Sequence, residues 1–195
     1  MINKKNIFYN HEFVCHDGKK FNFDILKNTF VPTGTSNLLL KSILNYKIKP
    51  GKTLDLGAGI GIIGLLLFKY NFIKEPLCLS DISEESLICI KQNAKKINCF
   101  IDARLGSMFD PWQNEKFDLI INDVSGISEE VAKISPWFKN VPCNSGEDGT
   151  KLTNIILNRA INFLNPTGLL FFPVISLSKS EKIIFEAKKN FKNVI

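Results

Sequence analysis

Residues 53–64 read Thr-Leu-Asp-Leu-Gly-Ala-Gly-Ile-Gly-Ile-Ile-Gly. Four glycines fall within eight residues, directly behind a short apolar run that carries one acid, Asp55. Glycines between a strand and a helix let the chain turn sharply and let backbone N–H groups approach a ligand at the helix N-terminus. The stretch therefore predicts a strand over 53–56, a ligand-binding turn, and an apolar helix over 60–70.

The same rhythm continues on both sides. Upstream, a hairpin over 13–26 turns at Asp17-Gly18, good hairpin chemistry. A loop at 31–36 follows, and Thr35 or Ser36 can cap a helix through Leu38, Leu39, Ile43 and Leu44 that Pro50-Gly51 ends. Downstream, strands are expected at 77–82 (with Asp81 at its end), 100–105, 117–122 and 169–175. Ser83 caps a helix whose Leu87, Ile90, Ala94 and Ile97 recur at helical spacing, and further helices are expected over 148–164 and 178–191. Alternating strands and helices imply an α/β fold: a Rossmann-like, doubly wound, mostly parallel sheet with helices on both faces. Ligands in such folds bind beyond the carboxyl ends of the strands.

The chain has 195 residues, suited to one domain over 1–195: an N-terminal hairpin extension at 1–30 and an α/β core at 31–195. No apolar run reaches membrane-spanning length, and the first residues lack a signal-peptide pattern, so a cytoplasmic location without a membrane partner is expected. The five cysteines form no C-x-x-C and read as free thiols; no metal site is expected. The net charge is +6, but lysines are scattered along the whole chain, so a nucleic-acid partner is admitted without being indicated.

Two ligand classes fit a glycine turn followed by an acid. Gly59-x-Gly61-x-x-Gly64, with Asp81 further along, satisfies the dinucleotide pattern. Counted from the end of the strand, however, the loop opens at Gly57, and Ile62 stands where the third glycine of that pattern belongs. Asp55, two residues before Gly57, would repel a pyrophosphate and suits a ligand with a positive group. A tight turn without any ligand is the plainer reading, but it needs neither acid.

Asp55-Leu56-Gly57-Ala58-Gly59-Ile60-Gly61 resembles the Asp-x-Gly-x-Gly-x-Gly loop of class I methyltransferases, whose cofactor S-adenosyl-L-methionine carries an ammonium and a sulfonium and no phosphate. The resemblance runs from about residue 30 to 175. It includes the 31–43 segment and the stretch around Gly146, Asp148, Gly149, Leu164, Pro166 and Gly168, and it points to the HemK-like group. It implies that Gly57, Gly59 and Gly61 pass beneath the methionine part, that Asp55 orients it, and that Asp81 accepts from both ribose hydroxyls with Ile82 beside it. Ser107 and Met108 would meet the adenine, or Met108 and Phe109 are plain core.

The expected reaction centre is Asn122-Asp123-Val124-Ser125, at the place where the resembled group holds Asn-Pro-Pro-Tyr or Asn-Pro-Pro-Phe. Asn122 matches; the following three positions differ, and the chain ends where the closing hairpin of a seven-stranded sheet would begin. Asn122 and Asp123 are the candidate catalytic residues, and Asn122 also a cofactor contact. Asp123 could act as a general base, hold a cationic amine, or cap the next turn. Residues 126–149 form a candidate lid, with Trp137 and Phe138 as an apolar wall and Glu129, Glu130 and Asp148 as cation-binding candidates. The expected activity is methyl transfer to a small-molecule or protein acceptor, a nitrogen being one option. Three alternatives remain: displacement at another carbon of the sulfonium with release of methylthioadenosine, a non-catalytic cofactor-binding subunit, and an NAD-dependent oxidoreductase. The sequence does not indicate an oligomeric state.

Overall fold

The computed structural model describes residues 7–32, 34–124, 126–135 and 145–195. Two antiparallel strands, β1 (Tyr9–Val14) and β2 (Lys20–Ile25), form the expected hairpin. Helix α1 (Gly34–Asn45) leads into the alternating core: β3 (Thr53–Leu56), α2 (Ile62–Lys69), β4 (Leu77–Asp81), α3 (Glu84–Ile97), β5 (Ile101–Leu105), β6 (Phe117–Asn122), α4 (Glu129–Ile134), α5 (Lys151–Ala160), β7 (Leu164–Phe171) and α6 (Ser180–Asn190). The five core strands are all parallel, in the order β5-β4-β3-β6-β7.

Side-chain alternation assigns the two faces of the sheet. Leu77, Leu79, Leu119 and Ile121 pack with α1, α2 and α3 and with Phe13 and Phe23 of the hairpin. Leu54, Leu56, Cys78 and Ile120 pack on the other face against Phe109, Trp112, Ile156 and Ala160. Helix α2 is apolar nearly all round and almost wholly buried, as a helix without a polar face must be. α6 packs on α5 through Ile183 and Ala187.

Three departures from the expected elements have physical reasons. The strand expected over 169–175 runs instead from Leu164 to Phe171, because Phe117 pairs with Leu164 and Leu119 with Leu169, the 165–168 turn is accommodated as an irregularity inside the ladder, and the pairing with β6 ends at Phe171. Helix α4 arises within the connection expected to be a loop, because Ser128 accepts from the Val131 N–H and caps a short helix. Helix α1 starts at Gly34, ahead of Thr35 and Ser36, so neither is its cap; Ser36 serves elsewhere, as described below.

Asn37, Tyr70, Gln92 and Lys96 all bond to the hairpin, and one buried side chain joins it to both α3 and the glycine turn. The Asn93 amide of α3, buried to 1% exposure, accepts from the Asp24 N–H at 2.7 Å and donates to the Asp24 carbonyl at 3.0 Å and the Ile60 carbonyl at 3.1 Å. Ile60 lies inside the glycine turn, so hairpin, α3 and turn share this clamp.

Candidate functional site

The carboxyl ends of β3, β4 and β6 open into one cavity of about 710 Å³. Its floor is the turn after β3. Gly57, Gly59 and Gly61 have φ of 67°, 56° and 82°, the left-handed region that side chains avoid. A Cβ on Gly57 would lie 2.3 Å from the Val124 Cγ2, whereas a Cβ on Gly59 would meet no heavy atom within 4 Å. The space over Gly59 is therefore a cradle that only a missing side chain keeps clear. A Gly59→Ala variant is expected to lose only about 1–2 kcal/mol of stability from the left-handed backbone. Its affinity for the cofactor should fall by about tenfold or more, since the methyl group takes up ligand volume. Thermal unfolding and calorimetry on the same sample separate the two effects.

Gly61 does not line the cavity. It precedes α2, donates to the Ala58 carbonyl at 2.8 Å, and packs against Leu65, Leu79 and Ile90. The fourth glycine, Gly64, is required by packing: a Cβ there would come 3.0 Å from both the Asp55 Oδ2 and Leu77.

Asp55 is 1% exposed, and its Oδ2 accepts from the Gly64 N–H at 2.9 Å, in the first turn of α2. Asp81 accepts from the Gly59 N–H at 2.8 Å with Oδ2 and from the Ser83 N–H at 2.9 Å with Oδ1. It thus ties the glycine turn to the start of α3 while still facing the cavity. Each carboxylate oxygen has two lone pairs, which leaves acceptor capacity for a ligand. Ser83 also accepts from the Ser86 N–H and caps α3, as expected. Ile82 is largely exposed on the cavity wall, and Ser107 and Met108, the latter with φ 46°, line it opposite.

At the end of β6, Asp123 faces the cavity and its Oδ2 accepts from the Ser36 hydroxyl at 2.5 Å. Asn122 does not face it. Its side chain is 1% exposed and its Oδ1 accepts from the Val124 N–H at 2.8 Å, which shapes the turn after β6. The structure therefore separates the two candidate catalytic residues: Asp123 lines the cavity, and Asn122 supports the wall behind it.

The cation-binding candidates of the connection lie elsewhere. Asp148 pairs with Lys182 at 2.7 Å and with the Thr150 hydroxyl, and Glu129 pairs with Lys133 on the surface. Neither these two nor Glu130 lines the cavity. Trp137 and Phe138 lie outside the described residues. Two further segments complete the wall: Asn28, Phe30 and Pro32 before α1, of which only Pro32 lies in the singled-out 31–43 segment, and Pro173, Ile175 and Leu177 after β7, the first two expected as strand. They contribute shape and apolar surface from loops, without periodicity.

The cavity's electrostatics are one-sided. Asp55, Asp81 and Asp123 line it, and no Lys, Arg or His does so among the described residues, in a chain with net charge +6. Burial pushes Asp55 up to about 7, against the Gly64 N–H that lowers it, with Asp123 and Asp81 raising it further. Burial likewise raises Asp123 to about 6, opposed by the Ser36 hydroxyl, and raises Asp81 against its backbone donors. The folded protein thus holds protons that the unfolded chain has already released. Ligand-free stability should fall as pH rises from the ordinary carboxylate range to about 7 and then level off. A cationic ligand favours the ionised forms, so its affinity should run the opposite way. Calorimetry in two buffers of different ionisation enthalpy should show S-adenosylmethionine binding tightening from about pH 5.5 to about pH 8 with proton release. Asp55→Asn should flatten both trends.

Known proteins agree with this architecture. The methyltransferase small domain family matches residues 31–123. The release factor glutamine methyltransferase of Borreliella burgdorferi is 28% identical over 180 residues, covering 88% of this chain and 62% of that protein. The enzyme of the same name from Enterococcus faecalis is 25% identical over 173 residues, covering 86% and 58%. This chain thus spans less than two thirds of the length of these relatives. Among solved structures, a ribosomal protein methylase from Lactobacillus delbrueckii subsp. bulgaricus superposes with a TM-score of 0.63 at 21% identity, covering 83% of this chain and 70% of its own. A T. thermophilus 16S rRNA methyltransferase solved with AdoMet and guanosine gives 0.66 at 18% identity, covering 95% and 46%. The matched domain, the relatives and the shared fold make this chain similar to the class I S-adenosylmethionine-dependent methyltransferases, the release factor glutamine methyltransferases among them.

Proposed function

We propose that the protein transfers a methyl group from S-adenosylmethionine to a nitrogen on a protein or small-molecule acceptor. The observation that carries this reading is the cavity itself: a glycine cradle and three carboxylates with no cationic side chain among its described lining residues. A nicotinamide dinucleotide would bring its pyrophosphate into that field without a counter-charge. The two positive groups of S-adenosylmethionine fit it.

The residues divide the work by position. Gly57 and Gly59 admit the methionine part, and Asp55 fixes the start of α2 beneath it while balancing its charge. Asp81 accepts from the ribose hydroxyls, and Ile82, Ser107 and Met108 bound the adenine. When bound, the cofactor supplies an electrophilic methyl carbon on sulfur. Asp123 accepts an N–H from the acceptor, aims the nitrogen lone pair at that carbon, and takes the proton released as the new bond forms. Positioning of this kind can account for much of the rate enhancement. The relatives named for glutamine methylation favour a planar amide nitrogen, and a carboxylate lining the cavity at Asp123 supports recognition of an N–H donor. We further propose that Asn122-Asp123-Val124-Ser125 is an altered form of the group's acceptor motif and that 1–195 acts as one domain with its N-terminal hairpin.

The test is product analysis. The protein is incubated with methyl-labelled S-adenosylmethionine and a host cell extract, with Asp81→Ala as control. S-adenosylhomocysteine above control, with label in a protein or metabolite fraction, is expected. Methylthioadenosine in its place would assign displacement at another carbon. Neither product, with the cofactor bound, would overturn the catalytic reading and leave a cofactor-binding subunit.

A further inference from the structure

Ser36 belongs to the first turn of α1, yet its hydroxyl does not return to its own helix. A serine inside a helix commonly bonds to a carbonyl one turn back or faces solvent. Ser36 is instead 1% exposed and donates to the Asp123 Oδ2 at 2.5 Å, across 87 residues of sequence. Both residues line the cavity. The start of α1 and the end of β6 therefore meet through this contact.

The charges facing Asp123 make the contact consequential. From the sheet, Asp55 and Asp81 add negative charge to the same cavity, and no Lys, Arg or His faces it among the described lining residues. Burial opposes ionisation of Asp123, and the Ser36 hydroxyl opposes that burial. The first turn of α1 adds the positive end of a helix dipole. Ser36 thus does two things at once: it fixes the direction of the carboxylate and favours its ionised, proton-accepting form.

We propose that Ser36 is a positioning residue for acceptor recognition: it holds Asp123 as an ionised acceptor aimed at an N–H-bearing substrate. This rests on the methyl-transfer reading for its catalytic consequence, though not for its physical one.

The physical consequence is read without turnover. Carbon-13 NMR of labelled aspartate, in the cofactor-free protein, follows the Asp123 carboxyl through its titration, assigned by the loss of its resonance in Asp123→Asn. Ser36→Ala should move that midpoint upward by roughly one pH unit, and Ser36→Thr, which keeps the hydroxyl, should restore it. Catalytically, Ser36→Ala should lower the rate of label transfer at saturating S-adenosylmethionine by about 10- to 100-fold. The acidic limb of its pH–rate profile should shift upward in step with the NMR midpoint. An unmoved midpoint in Ser36→Ala overturns the proposal whatever the activity. A loss of activity equal in Ser36→Ala and Ser36→Thr, with an unshifted profile, also overturns it and leaves a packing role. If wild-type protein binds the cofactor but transfers no label, while the midpoint shifts and threonine restores it, the methyl-transfer reading fails and the control of Asp123 by Ser36 stands.

Discussion

Asp81→Ala is expected to weaken S-adenosylmethionine binding by about 100-fold or more. Two losses combine. In the proposed orientation the carboxylate is the acceptor for the ribose hydroxyls, and hydrogen bonds to a charged group contribute about 1.5–3 kcal/mol each. It also accepts from the Gly59 N–H at 2.8 Å and the Ser83 N–H at 2.9 Å, so its removal loosens the cradle that the ligand must enter. Asp81→Asn, which keeps one acceptor oxygen, should fall between wild type and alanine. Calorimetric titration measures all three. The stability cost should be small, because burial disfavours this carboxylate in the ligand-free protein. Wild-type affinity in Asp81→Ala would remove the ribose assignment and, with it, the proposed orientation of the cofactor.

Asn93→Ala is the substitution expected to destabilise the protein most among those considered. The amide makes three hydrogen bonds to backbone groups on two segments, and it is 1% exposed. Alanine leaves the Asp24 N–H, the Asp24 carbonyl and the Ile60 carbonyl without these partners in a site too enclosed for easy hydration. Each orphaned buried group costs about 1–3 kcal/mol, so a total of about 3–5 kcal/mol is expected after partial relaxation. Lys96→Ala removes the neighbouring ion pair with Asp24 at 2.7 Å, which is partly exposed on both sides. It should cost no more than about 1 kcal/mol. Urea unfolding of the two variants compares a buried polar clamp with a surface ion pair on the same aspartate. Equal midpoints would show that the buried clamp holds the hairpin no better than the surface pair and that packing around Phe13 and Phe23 matters more.

These two residues also show how differently the sequence exposed its information. Asp81 was legible because its type and its distance from the glycine turn follow from the length of one strand-helix-strand unit, a local constraint. Asn93 was not, because nothing in the helix pattern distinguishes an asparagine turned to solvent from one that clamps a hairpin arriving from residue 24. Gly57 and Gly61 stood out together as part of one motif, yet only Gly57 lines the cavity, and Gly61 answers to α2 and its neighbours.

The reaction end divides in the same way. Asn122 and Asp123 were adjacent candidates, but Asn122 is the last residue of β6 and Asp123 the first beyond it, and their side chains meet different surroundings. Asn122 is spent on the Val124 N–H, and Asp123 reaches the cavity. Ser36 read as a helix cap because capping is local chemistry. It became a partner of Asp123 because α1 begins at Gly34 and packs its first turn against the end of β6.

By itself the sequence determined the alternation of strands and helices, the parallel sheet, the glycine turn and the acids within β3 and at the end of β4. Those features are written in spacing and in backbone conformations that few residue types can adopt. Only the tertiary structure decided which polar groups share one desolvated cavity, which are consumed by backbone partners, and that three carboxylates face it without a described cationic neighbour. Burial and hydrogen-bond partnership are properties of chain segments brought together from far apart, and no local pattern encodes them.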